Sequence, residues 1–144
     1  MQLIYEGNVA RISLDETVPC LVYQWVGRAG SRADFREAMA HWLSGLYTLR
    51  ARVSDHRPLG VLVNNMQARF IDPADQEWIT ENINPRQLEA GLGFVAIVDD
   101  GSQESTRNVA EWKMRVEMAH QPFVSAIFRN EEEARSWLRE VVRG

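Results

Sequence analysis

The sequence is poor in several residue types, and each shortage excludes something. Its single cysteine, Cys20, cannot form an internal disulfide. Its single lysine, Lys113, stands against fifteen arginines spread along the whole chain, a pattern of compositional bias rather than a patch for carboxylates or phosphates. Three histidines, His41, His56 and His120, lack the local spacing of a metal motif. No apolar run approaches the ~20 residues of a membrane-spanning helix, the longest being VPCLVYQWV. The opening MQLIYEGN has neither a basic start nor a long apolar segment, so no secretory leader is read and a cytoplasmic protein is expected. With 16 basic and 20 acidic residues the net charge is −4 and the pI near 5.4, so nothing draws the chain as a whole to a nucleic-acid backbone.

What is present fits one domain over residues 1–144, with 45% hydrophobic residues. Two short runs, Gln2 to Glu6 and Val9 to Leu14, flank Gly7-Asn8, a pair suited to a tight hairpin turn. In CLVYQWV, Cys20, Val22 and Val26 alternate with Leu21, Tyr23 and Trp25, so both faces are largely apolar and the strand belongs inside a covered sheet. Ser31 with Asp34 marks a helix start, and Phe35, Ala38, Met39, Trp42, Leu46 and Leu49 form one helical face. GVLVN reads as a buried strand, and Asp72-Pro73 as an N-cap followed by a first-turn proline. Pro85 is expected to kink or end that helix, with a second piece closing at Gly91. GFVAIV, the helical stripe Val109, Trp112 and Val116, the strand PFVSAIF, and a helix started by Asn130 and Glu133 complete the chain.

The expected fold is therefore α/β: an N-terminal β-hairpin, then four strand–helix units, giving a mixed, mostly parallel sheet flanked by helices. In such sheets ligands gather where strands end and helices begin. The loops at that edge are Gly27 to Ser31, Asn64 to Asp72, Asp99 to Ser105, and Arg129-Asn130. GRAGSR, Gly27 to Arg32, could cradle an anion but matches no phosphate-loop pattern, and Asp99-Asp100-Gly101 reads as a turn before a helix cap.

The order of elements, with VPCLVYQWVG, DPADQEWI, NPRQLEAGL and EEEARSWL, resembles a bacterial STAS-like domain, a relative of the anti-sigma-factor antagonists whose fold is also similar to that of CRAL-TRIO lipid carriers. The resemblance covers almost the whole chain and implies regulation through protein contacts. It also implies a phosphorylatable Ser or Thr in the loop before the second helix, and none occurs between Val63 and Ile79.

The leading expectation is a non-enzymatic regulatory or interaction module that contacts a protein partner or a second copy of itself. Asn64, Asn65, Gln67, Arg69, Asp72 and Gln76 would supply hydrogen bonds, and Met66, Phe70 and Trp78 apolar anchors. The alternative is a carrier of a small apolar ligand, with Met66, Phe70, Trp78 and Trp112 bordering a pocket. No nucleophile–base pair emerges, and neither metal nor cofactor is expected.

Overall fold

The computed structural model describes residues 1–27, 30–54 and 56–143. Arg28 and Ala29 of the GRAGSR turn, Asp55 of the following polar loop, and Gly144 lie outside the described residues. The elements in chain order are β1 (Gln2–Glu6), β2 (Ala10–Asp15), β3 (Cys20–Trp25), α1 (Arg32–Arg52), β4 (Leu59–Asn64), α2 (Pro73–Trp78), a π-turn (Ile79–Ile83), α3 (Asn84–Glu89), β5 (Leu92–Val98), α4 (Gln103–Met118), β6 (Val124–Phe128) and α5 (Glu131–Arg143).

The six strands form one sheet in chain order, β1 to β6. The pairings β1–β2 and β2–β3 are antiparallel, and β3–β4, β4–β5 and β5–β6 are parallel. This is the expected hairpin followed by four strand–helix units. Three successive crossovers of one hand, in a sheet that grows in one direction, put their helices on one face. Accordingly one core joins residues of α1, the α2–α3 segment and α4 to Leu21, Tyr23, Trp25 and Val61 of the sheet. A second core joins α5 to the opposite face through Val18, Cys20, Val22, Leu62, Ala96 and Val98. The alternation of β3 thus serves two cores.

α5 lies close on β4 because position 60 is glycine. A Cβ there would stand 2.8 Å from Val142 Cγ1 and 2.9 Å from Leu138 Cδ2. Arg135 ties α5 to the end of β2 through Asp15, Nε to Oδ2 at 2.8 Å.

The second helical segment gives way, as expected, to a second piece, α3, that begins at Asn84-Pro85. The chain widens by one residue, so that the Asn84 N–H bonds the Ile79 carbonyl, and Pro85 enters the first turn of α3, where its missing N–H is least missed. Gly91, at φ 96°, then closes α3 in the left-handed region as expected.

Candidate functional site

The parallel strands end, and α1, α2, α4 and α5 begin, along one edge of the sheet. Each of these helices is capped there by a side chain that accepts a backbone N–H: Ser31 from Asp34, Asp72 from Asp75, Ser102 from Ser105, and Asn130 from Glu133. Asp34 also returns a carboxylate to the Ser31 N–H at 2.9 Å, completing a capping box.

The segment from Asn64 to Asp72 runs along this edge, and its residues divide sharply. Asn64, Asn65 and Gln76 are buried. Asn64 donates its amide to Glu131 at 2.8 Å and accepts the Met66 N–H at 2.9 Å, joining the loop to α5. Asn65 accepts the indole N–H of Trp25 at 3.0 Å, while its own N–H continues the β5 ladder at the Val98 carbonyl. Gln76 donates to the Asn108 carbonyl at 3.4 Å. These amides are hydrogen-bonded within the fold, and Asn65 and Gln76 also line the cavity beneath the helices.

Met66, Gln67, Arg69 and Phe70 are exposed, while Asp72 and Trp78 are half-buried. Gln67 turns the chain at φ 67°. The Arg107 guanidinium lies 4.5 Å from the Phe70 ring centroid and that of Arg36 lies 4.6 Å from Trp78. Arg32 bridges Asp72 and Asp75, both at 3.1 Å, so α1 and α2 are clasped across the edge.

The Asp75 N–H, together with Arg32, holds the Asp72 carboxyl below the usual carboxylate range. A depressed folded-state pKa contributes stability above the unfolded value, and that contribution disappears as pH falls through the folded one.

Asn108 of α4 fixes the middle of the loop. Its Oδ1 accepts the Ile71 N–H at 2.8 Å and its Nδ2 donates to the Arg69 carbonyl at 2.7 Å. It is buried on the same helical face as Ser105, Val109 and Trp112, and a polar residue within that apolar stripe was the sequence signal for it.

Beneath α1, the α2–α3 segment and α4 lies a cavity of about 120 Å³. Tyr23, Trp25, Trp42, Val61, Val109 and Trp112 are among its walls, and no charged side chain is. At its far side Trp42 donates to Gln87 at 2.7 Å, Gln87 to Asn84 at 3.0 Å, and Asn84 to Gln121 at 2.8 Å, a chain of amides paired with one another. At the sheet edge a groove of about 430 Å³ between α1 and the Arg69–Asp75 stretch shares Trp25, Phe35 and Ile71 with the cavity. These three apolar side chains are therefore the partition between groove and interior. Of the residues expected to border a pocket, Trp112 lines the cavity and Phe70 the groove, whereas Met66 and Trp78 line neither.

Cys20 is fully buried in the second core, and burial pushes its thiol up to about 12, far from a reactive thiolate. Among the described residues no group of three or more His, Cys, Asp or Glu is placed to hold a metal. No helix formed by them is long and apolar enough to cross a membrane. Comparison with known protein families, with curated proteins and with solved structures finds no match to the chain.

Proposed function

We propose that the chain is a non-enzymatic binding protein that holds a small apolar ligand between its sheet and the α1, α2–α3 and α4 helices. The observation that carries this reading is the cavity itself, walled mostly by aromatic and aliphatic side chains, with the amides of Asn65, Gln76, Asn84, Gln87 and Asn108 and no charged group among them. At ~24 cal/mol per Å³, leaving 120 Å³ unfilled forgoes about 3 kcal/mol, a sizeable share of a domain's usual net stability. An occupant recovers that loss. The groove supplies a route, since displacing Ile71 or Phe35 joins it to the interior.

Native mass spectrometry of freshly purified protein is expected to show a retained small-molecule adduct. Three tryptophans, Trp25, Trp42 and Trp112, line the cavity and report occupancy by fluorescence. Val109→Phe, which fills the cavity from α4, is expected to lower affinity about tenfold or more and to raise apo stability by ~0.5–2 kcal/mol. Unchanged affinity in that variant, with the protein still folded, would remove the cavity as the site.

A second reading, of a regulatory contact surface, is favoured by the exposure of Met66 and Phe70, 46% and 41%, side by side with Arg69 and Arg107 on the sheet edge. The STAS-like pattern of the sequence supports it, and with no hydroxyl residue between Val63 and Ile79 the contact would form without phosphorylation in that loop. Met66→Ala with Phe70→Ala is expected to weaken self-association or partner binding by ~30-fold or more at unchanged melting temperature. Sedimentation and pull-down assays check this, and association at wild-type strength would exclude the surface.

A further inference from the structure

The two edges of the sheet are finished differently. β1 carries a bulge between Leu3 and Tyr5 and a cross-strand ion pair, Glu6 with Arg11 at 3.2 Å. Bulges and charges of this kind keep an edge from pairing with another chain. β6 has neither: its residues VSAIF include no charge, proline or glycine, and its register with β5 is unbroken. Among the described residues β5 is its one strand neighbour, and Val124 and Ile127 are 52% and 47% exposed. The Asp99 N–H donates to the Phe128 carbonyl at 3.0 Å, so Phe128, and by alternation Ala126 and Val124, turn their peptide groups toward β5. Ser125 and Ile127 turn theirs outward.

The face on which α5 lies is uneven in the same sense. Toward β1 and β2 it carries Glu6, Arg11, Ser13 and Asp15, with Leu3 the apolar exception. Toward β6 it carries Phe94, Val124, Ala126 and Phe128. A helix about 10 Å wide covers about two strands spaced ~4.8 Å apart, and α5 sits over β4 and β5. Its Trp137 leans over Phe94 and Phe128, with centroids 5.9 and 5.6 Å away, yet all three rings stay only half-buried. The polar side of this face can meet water; the apolar side calls for a cover.

Self-complementarity identifies that cover. A second β6 laid antiparallel about a two-fold axis at Ala126 keeps each α5 face beside its twin and pairs every residue of the strand. Ser125 and Ile127 of one copy then exchange N–H···O bonds with Ile127 and Ser125 of the other. Val124 stands opposite Phe128, and Ala126 opposite Ala126, at the non-hydrogen-bonded positions where side chains approach most closely. We propose that the chain forms a two-fold dimer through the β6 edge, joining two six-stranded sheets into one. The dimer is independent of the cavity, and it assigns self-association to residues other than Met66 and Phe70.

Sedimentation velocity of the full chain is expected to give twice the chain mass of 16.5 kDa. Ile127→Pro removes an outward N–H and leaves the β5 ladder whole, as edge strands tolerate, and is expected to weaken the dimer ~30-fold or more. Val124→Lys, at an exposed side chain, should weaken it as well. Ala126→Cys reports the axis: Cα atoms of such a pair lie ~4.5 Å apart, within disulfide reach, so mild oxidation is expected to give a covalent dimer. Val124→Cys, opposite Phe128, should give none, and the native Cys20 is buried and does not compete. A monomeric wild type would overturn the proposal and leave the edge to a strand of a different protein. An undiminished dimer in Val124→Lys and Ile127→Pro, or one abolished by Met66→Ala with Phe70→Ala, would overturn β6 as its seat. A dimer that Ala126→Cys does not trap would overturn the two-fold register. Val124→Lys and the cysteine trap decide the matter should Ile127→Pro fail to fold.

Discussion

Leu138→Ala is expected to lower stability by about 4 kcal/mol, in the upper part of the ~2–5 kcal/mol range for emptying a core leucine site. Leu138 is fully buried, and α5 is the helix that covers the second face of the sheet. Gly60 on β4 lies directly beneath it and has no side chain to move into the space left behind. The midpoint of urea unfolding should fall while its slope stays constant. Because Leu138 lies across the sheet from the cavity, ligand affinity of the folded fraction should not change. A loss under ~1 kcal/mol would mean that α5 is not what seals this face.

Asn108→Ala is expected to cost ~1–3 kcal/mol, since it removes the side-chain partner of two part-buried backbone groups at once, the Ile71 N–H and the Arg69 carbonyl. Its functional effect should be larger than that of Leu138→Ala. Ile71 is part of the partition between groove and cavity, and Asn108 is what holds its backbone. Freed from it, ligand should enter and leave faster together, with less change in affinity than in either rate. Hydrogen exchange gives a direct reading: the Ile71 amide should lose protection while amides in β4 and β5 keep theirs. Protection at Ile71 equal to wild type would show that the loop is held by something else.

The architecture was largely legible because it is written in local signals. Gly7-Asn8 separates the hairpin strands, Asp72-Pro73 opens the second helix, and the two-sided apolar pattern of β3 announced a sheet covered on both faces. The candidate site was legible only in position. Asn64, Asn65 and Gln76 are as polar in sequence as Gln67, and nothing local reveals whether an amide will be satisfied inside or out. Their partners, Glu131, Trp25 and Asn108, lie 67, 40 and 32 residues away, a separation that no reading of neighbours can bridge. Pro85 was legible as the start of a second helical piece, while the π-turn of one extra residue before it carried no local signal.

The sheet's strand order has a consequence for how the chain reaches this state. Every ladder joins strands that are consecutive in sequence, so no strand waits for a later one to be inserted between it and its neighbour. The sheet can be laid down in the order of synthesis, hairpin first, each strand docking on an edge already present and each crossing helix closing over it. Loop closures stay as short as a strand–helix unit allows, which favours rapid assembly over the slow search imposed by interleaved sheets. The second hydrophobic layer is the exception: it requires α5, which follows all six strands in the chain, so until that helix is free to dock, Cys20, Val22, Leu62 and Val98 form an uncovered greasy surface on the nascent chain.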